Sequence, residues 1–263
     1  MTGFAELMGS LVRSGDAWTV TVGDDWLQGR TLYGGLPSAL CYEAATRHFA
    51  DLPPLRAAKF AFVGPASGTL TIRVEEMRRG KSTAFIGVDL IGEAGLATRA
   101  IFCFGAPRAS RVRHSVVPQP AVPPPDKSIP FFGDAKPPLN FMQHFEWRRA
   151  GGHLPLSRAD DPTMLIWLRH RDVAAKPSVS SLLALADAPP PAAIVLFDQF
   201  APLSTMTWSI DLHADAIATD DGWFLVRTTA DSVGDGYSGQ AMTVWNAAGA
   251  PLMSSRQSVA VFI

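Results

Sequence analysis

Two stretches of this chain repeat the same order of strands and glycine turns, and this repeat constrains the fold more than any other feature. The stretches are 70–104, LTIRVEEMRRGKSTAFIGVDLIGEAGLATRAIFCF, and 224–262, FLVRTTADSVGDGYSGQAMTVWNAAGAPLMSSRQSVAVF. Each reads as strand, glycine turn, strand, glycine turn, strand, with the turns at almost the same spacing. The chain is therefore predicted to contain one structural unit twice.

A helix is expected in front of the strand meander in each unit. In the first half a strand is predicted at 17–22, and Gly34 and Gly35 open a helix that continues to residue 49. In the second half a helix is predicted over 176–187. A duplicated unit of this kind favours an α+β fold in which two antiparallel sheets join edge to edge, each wrapping its own helix.

A proline-rich segment separates the two units. Residues 107–138 contain nine prolines, including the run Pro123–Pro125, and a basic cluster at 108–113. Because proline lacks the backbone N–H and fixes φ, this segment cannot form a regular helix or a central strand. We predict an N-terminal unit at 1–106, a linker at 107–140 and a C-terminal unit at 141–263.

Charge and composition argue against several classes of protein. The net charge of −1 gives no basic footprint for nucleic acid. The two cysteines, Cys41 and Cys103, lie in apolar segments and are expected to be reduced core residues of a cytoplasmic protein. The start of the chain lacks the pattern of a signal peptide, and no apolar run is long enough to cross a membrane.

The second predicted helix ends on an unexpected acid. In the stretch 181–193, SLLALADAPPPAA, apolar residues are followed by Asp187 and then by three prolines. The C-terminal end of a helix carries the negative pole of its dipole, so a carboxylate is unfavourable there. Asp187 is therefore either a solvated loop residue or a residue with a function.

Several segments, occurring in the same order in both halves as in the family, resemble the double-hotdog acyl-CoA thioesterases of the type II (medium- and long-chain) group. In the first half these segments are GRTLYGGLPSAL, KFAFVGPASG and VEEMRRGKSTAFIGVDL. In the second half they are PLSTMTWSIDLHA and NAAGAPLMSSRQSV. The resemblance implies two tandem hotdog units, each a long antiparallel sheet wrapped around a central helix, and an acyl-CoA as substrate.

The resemblance also implies a site without a metal, a cofactor or a covalent nucleophile; coenzyme A enters only as part of the substrate. In that family an Asp, a Thr and a Gln hold one water, and these residues correspond here to Asp187, Thr205 and Gln257. The chain departs from the family pattern at Thr207 and Ser258, where acidic residues are frequent. The family also implies a homodimer or higher oligomer, which would cover the open edges of the sheet.

Thioester hydrolysis needs a base, a positioned water and donors for the developing oxyanion. A carboxylate at the mouth of an apolar pocket has a raised pKa and is a better base. The start of a helix supplies backbone N–H donors. Two such starts are candidates and the sequence does not choose between them: Gly34–Gly35, and the turn 177–181 with Ser180 and Ser181.

Two other functions compete with hydrolysis. A hotdog enoyl-CoA hydratase would use an Asp and a His a few residues apart, and no Asp lies five positions before any of the six histidines. The other alternative is a non-catalytic protein that binds acyl-CoA or an acyl carrier. The basic hairpin 78–81 could meet coenzyme A phosphates, but a charged hairpin tip is usually only solvated.

Overall fold

The computed structural model describes residues 1–263 and shows a single 13-stranded antiparallel sheet and one two-stranded hairpin. The strands of the first half are Val12–Ser14 (β1), Ala17–Val22 (β2), Leu27–Gln28 (β3), Thr31–Leu32 (β4), Leu55–Phe62 (β5), Gly68–Arg79 (β6), Thr83–Gly92 (β7) and Gly95–Gly105 (β8). Those of the second half are Ile129–Pro130 (β9), Phe145–Gly152 (β10), Thr163–His170 (β11), Leu203–Leu212 (β12), Phe224–Gly234 (β13), Tyr237–Asn246 (β14) and Pro251–Val261 (β15).

The order of strands in the large sheet reflects the repeat in the sequence. It runs β1-β2-β6-β7-β8-β5-β12-β15-β14-β13-β11-β10-β9, so β5 and β12 join the halves at the centre. At this join Phe60 pairs with Trp208 and Ala58 with Ile210. The two halves also share a β-bulge, which lies after Leu55 where β5 pairs with β8 and after Thr205 where β12 pairs with β15.

Three α-helices accompany the sheet: Phe4–Gly9 (α1), Gly35–His48 (α2) and Val179–Ala186 (α3). The helix α3 begins at Val179 because the Ser178 side chain accepts from the N–H of Ser181 in a capping box. It ends before the prolines that follow, which cannot continue a helix. None of the three helices is both long and apolar enough to span a lipid bilayer.

The two longer helices pack against each other inside the curved sheet, running in opposite directions. The start of α2 lies against the end of α3, where a Cβ on Gly35 would approach the backbone oxygen of Ala184 to 2.8 Å. At the other end of the pair, Ser180 donates to Glu43. Every residue of α3 after Val179 is buried. The structure thus has the double-hotdog arrangement predicted from the sequence.

The proline-rich segment, predicted as a linker, lies across the outer face of the sheet in the second half. The indole of Trp245 donates to the carbonyl oxygen of Val117 at 2.8 Å, and the indole of Trp167 donates to that of Pro123 at 2.9 Å. Further along, Ile129 and Pro130 add an edge strand to β10. The segment therefore packs as part of the C-terminal half instead of only connecting the halves, because its prolines leave carbonyl oxygens free to accept from indoles.

Both cysteines are free thiols. Cys41 is buried in α2, as predicted. The prediction that Cys103 is a core residue is wrong: it is only partly buried on β8, because its neighbours Phe102 and Phe104 occupy the buried face of the strand. Burial raises the pKa of both thiols, so they stay protonated at neutral pH.

The indole bonds predict a stability difference between two tryptophan variants. Trp245→Phe removes the donor to Val117 and leaves a partly buried carbonyl oxygen unpaired, whereas Trp18→Phe removes a buried indole N–H that has no partner. We expect Trp245→Phe to lower the free energy of unfolding by about 1–2 kcal/mol more than Trp18→Phe does. Urea unfolding of both variants measures this, and equal losses would show that the bond to the segment adds no stability.

Candidate active site

A cavity of about 610 Å³ opens where α3 ends and α2 begins. It is lined by side chains from both halves and by the loop after α3, including Arg30, Thr31, Gly34, Phe62, Ala66, Asp187, Pro189, Pro190, Pro191 and Thr205. Arg30 and Asp187 are the two charged residues among all that line it.

Asp187 lies at the junction of the two helices. It is the C-cap of α3, which is the unfavourable end for a carboxylate, but it faces the start of the longer helix α2. There the positive pole of the α2 dipole and its N–H groups favour negative charge. The negative charge of Asp187 is therefore unfavourable at the C-terminal end of α3 but is stabilised by the N-terminal end of α2.

Burial dominates the protonation of this carboxyl. Desolvation raises the pKa of Asp187 from its ordinary value near 3.8 to about 7, although hydrogen bonds from Gln257 and the backbone of Gly35 act in the opposite direction. The nearby Tyr33 has its pKa raised by burial and by the Asp187 charge, so it stays neutral. A carboxyl that titrates near pH 7 can both take and return a proton.

Two glycines allow the carboxyl to approach the helix start. A Cβ on Gly34 would lie 2.8 Å from the ring of Phe62 and 2.9 Å from Oδ2 of Asp187. A Cβ on Gly35 would lie 2.6 Å from the Tyr33 ring and 2.8 Å from the Ala184 carbonyl oxygen. A larger residue at either position would push the helices or the carboxyl apart.

Gln257 contacts the carboxyl directly. This buried residue lies on β15, and its Nε2 donates to Oδ1 of Asp187 at 2.5 Å. Thr205 lies on β12 opposite Val259 at the bulge, and it lines the same cavity. Its side chain is half-buried and makes no hydrogen bond within the protein, so its hydroxyl can bind a water or a substrate oxygen.

The structure brings together five of the seven predicted site residues: Gly34, Gly35, Asp187, Thr205 and Gln257. The other two, Ser180 and Ser181, lie at the opposite end of α3. The hydroxyl of Ser180 donates to Oε2 of Glu43 at 2.7 Å, and Ser181 belongs to the capping box. Their side chains are thus used in helix packing and capping, far from the carboxyl of Asp187.

The two positions that depart from the family pattern lie outside the cavity. Thr207 and Ser258 pair with each other across β12 and β15, and both are exposed. Their neighbours Trp208 and Gln257 form the next pair, whose side chains are buried on the opposite face. The departures therefore do not alter the groups that surround Asp187.

The sequence reasoning missed Gln240, which contacts Gln257 from the neighbouring strand. This fully buried side chain on β14 donates from Nε2 to Oε1 of Gln257 at 2.6 Å. A signal was present in the alternation of β14, where Ser238, Gln240 and Met242 share the buried face. A glutamine at an inward position of a strand needs partners, and this points to a polar network.

The first half has a different set of residues at the corresponding positions. Counted from the helix caps Gly34 and Ser178, Asp187 corresponds to Glu43. Counted from the bulges, Thr205 corresponds to Leu55, and Gln257 corresponds to Phe102. In addition, Arg47 pairs with Glu43 at 2.8 Å. The repeat therefore contains one polar trio, in the second half.

The described side chains include no group of three or more His, Cys, Asp or Glu residues placed to hold a metal ion. The chemistry available at the cavity is that of a carboxylate base, a hydroxyl, a primary amide and the start of a helix.

Solved structures of hotdog proteins share this fold. A hotdog-fold protein from Alicyclobacillus acidocaldarius has 24% identity and a TM-score of 0.87, with 100% of this chain and 99% of that chain covered. A TesB protein from Mycobacterium avium subsp. paratuberculosis has 16% identity and a TM-score of 0.80 over 98% and 99% of the two chains. The acyl-CoA thioesterase II TesB2 from Mycobacterium marinum has 16% identity and a TM-score of 0.75 over 98% and 97%.

No curated protein matches the sequence. Two family models do: the acyl-CoA thioesterase N-terminal domain matches residues 22–105, and the acyl-CoA thioesterase C-terminal domain matches residues 117–261. The second match begins inside the segment predicted as a linker, in keeping with the packing of that segment on the C-terminal half. The chain belongs to the acyl-CoA thioesterase family.

Proposed function

We propose that this thioester hydrolase cleaves a fatty or related acyl-CoA with one water held by Asp187, Thr205 and Gln257. The observation that carries the proposal is the partly buried carboxyl of Asp187, hydrogen-bonded to Gln257, in the wall of a cavity that Thr205 also lines. The cavity is large enough for a thioester and part of its acyl chain. No metal or cofactor is needed for this chemistry.

In the proposed reaction ionised Asp187 takes a proton from the water as its oxygen attacks the thioester carbonyl carbon. The hydroxyl of Thr205 and the amide of Gln257 fix the water and the carboxylate in position. The positive end of the α2 dipole, at Gly34 and Gly35, stabilises the oxygen on which negative charge develops, while the N–H of Gly35 donates to Asp187. The carbon–sulfur bond then breaks, and the proton held by Asp187 passes to the leaving thiolate, giving free acid and coenzyme A.

We also propose that the protein acts in the cytoplasm in lipid metabolism and forms a homodimer or a higher oligomer. The two free thiols fit a reducing compartment. The outermost strands β1 and β9 leave backbone groups open at both edges of the sheet, and edges of this kind are commonly covered by a second chain.

The pKa of Asp187 predicts the pH dependence of hydrolysis. Only the ionised carboxylate can take the proton. We therefore expect kcat/KM to increase about tenfold per pH unit well below the pKa and to level off above it. The midpoint is expected at about 7. Initial rates of coenzyme A release between pH 5 and 9 measure this profile, and a rate already at its plateau at pH 5 would contradict a base whose pKa is raised by burial.

Substitutions of the trio test the mechanism, with Glu43 as a matched control from the first half. We expect Asp187→Asn to lower kcat about 10²–10⁴-fold, since the general base is lost. Thr205→Val and Gln257→Leu should each lower kcat by a smaller factor. The variant Glu43→Gln should keep the wild-type kcat, because Glu43 lies at the other end of the helix pair.

A panel of acyl-CoAs of different chain length serves as substrate. An Asp187→Asn variant that releases coenzyme A at the wild-type rate would contradict the mechanism. Tight binding of acyl-CoA without release of coenzyme A would favour the non-catalytic binding protein.

Arg30 is the one cation that lines the cavity, and we propose that it contacts the phosphates of coenzyme A. It lies exposed in the turn between β3 and β4 and forms no ion pair within the protein. The turn is held in place because the Thr31 hydroxyl accepts from the N–H of Ala66 at 2.9 Å and donates to its carbonyl oxygen at 3.2 Å. Exposure leaves the guanidinium free to bind an anion at the rim.

We expect Arg30→Gln to raise KM for an acyl-CoA about 3–10-fold with little change in kcat, because one surface charge contact is lost. The same variant should leave KM unchanged for the matching N-acetylcysteamine thioester, which has no phosphate. Arg13→Gln, which removes an exposed arginine from β1, is the control. An equal rise in KM for both substrates would exclude a phosphate contact.

A further inference from the structure

A chain of three hydrogen bonds connects the loop after α3 to the carboxyl of Asp187. The backbone N–H of Ala192 donates to Oε1 of Gln240 at 2.7 Å. Nε2 of Gln240 donates to Oε1 of Gln257 at 2.6 Å, and Nε2 of Gln257 donates to Oδ1 of Asp187 at 2.5 Å. Ala192, Gln240 and Gln257 are all buried, so water does not compete for these groups.

The donor-to-acceptor direction of these hydrogen bonds is fixed at Ala192, the end of the series away from Asp187. A primary amide has an acceptor and a donor side and can turn to exchange them, so its orientation follows from its partners. A backbone N–H can only donate, and the N–H of Ala192 therefore requires the oxygen of Gln240. The NH₂ group of Gln240 must then face Gln257 and hold its oxygen. This leaves the NH₂ group of Gln257 facing Asp187.

The triple proline determines which backbone group can act in this way. Pro189, Pro190 and Pro191 have no N–H, so Ala192 supplies the first backbone donor after the run. Ala192 also starts a 3-10 helix, Ala192–Leu196, in which the first N–H has no partner within the helix. The only other partner of the Gln240 amide is the Met242 sulfur at 3.7 Å, which is a weak acceptor.

We propose that Gln240 is a positioning residue that holds the amide of Gln257 with its NH₂ group toward Asp187, in a direction set by the N–H of Ala192. This inference rests on the proposed function for its role in catalysis. Its consequence is that Oδ1 of Asp187 always accepts from Gln257, so this series of hydrogen bonds stabilises the carboxylate form of the base.

Two other groups that titrate or carry charge lie near Asp187, and neither takes part in the chain of hydrogen bonds. The hydroxyl of Tyr33, on the α2 side, donates to the carbonyl oxygen of Ala184 at 3.0 Å. Arg30 is on the cavity wall and exposed to solvent. A change in the protonation of Asp187 caused by a substitution at Gln240 would therefore act through Gln257.

The first test replaces Gln240 by methionine, which keeps the length of the side chain but can neither hold the oxygen of Gln257 nor accept from Ala192. The Gln257 amide is then free to turn its oxygen toward a protonated Asp187. We expect the pKa of the carboxyl to rise by about 0.5–1 pH unit. We also expect kcat at pH 6 to fall about three- to tenfold with little change in KM.

The carboxyl titration is followed by ¹³C NMR in the unliganded protein, with Asp187→Asn to assign the signal, so it does not depend on activity. Ser238→Ala, on the same buried face of β14, removes a hydroxyl that has no partner and is the matched control. It should leave the titration unchanged.

A second variant removes the donor and keeps both glutamines. Ala192→Pro suits the first position of a helix, and Pro191 before it has a ψ of 134°, which a following proline tolerates. We expect the carboxyl titration to move in the same direction as in Gln240→Met. This variant tests the proposal even if Gln240→Met does not fold.

A merely structural role for Gln240 predicts a lower Tm with the carboxyl titration and the pH profile of kcat/KM both unchanged. That result would overturn the proposal. Absence of acyl-CoA hydrolysis by the wild type would overturn the proposed function instead, while the titration would still decide whether Gln240 acts on Asp187.

Discussion

The antiparallel contact between α2 and α3 is the feature on which the candidate site depends. It places the last residue of one helix against the first turn of the other, so a single carboxyl lies at the end of α3 and the start of α2. Gly35 makes the contact possible, because any side chain there would meet the α3 backbone. The same contact buries Asp187, and this burial raises its pKa to a value useful in a base.

The sheet completes the site by bringing residues distant in sequence to that carboxyl. Gln257 lies 70 residues from Asp187 and reaches it because β15 runs beside β12 near the centre of the sheet. Gln240 reaches Gln257 across the neighbouring strand pair β14 and β15. A polar group in such a place is stable only when its neighbours satisfy it, and a connected chain of amides achieves this.

Local patterns were sufficient to predict the repeat, the fold class and several elements. The alternation at 17–22 corresponds to β2, and the predicted helices at 34–49 and 176–187 correspond to α2 and α3 with shifted ends. The ends shifted because capping by Ser178, which depends on side-chain geometry, decides where α3 begins.

The rest could not be predicted because it depends on tertiary contacts. Equivalent helix starts in the two halves were both candidates for the oxyanion site, and only the packing shows that Ser180 faces Glu43 while Gly34 faces Asp187. Proline content indicates an extended segment at 107–138, but no local rule indicates that Trp167 and Trp245 bind its carbonyl oxygens.

The shared bulge in β5 and β12 separates what the backbone determines from what the side chains determine. It occupies matching positions in both halves, yet Thr205 and Gln257 in one half correspond to Leu55 and Phe102 in the other. The same backbone geometry thus carries polar groups in one half and apolar groups in the other. The chemistry of the site therefore depends on which side chains are attached at the bulge and not on the bulge itself.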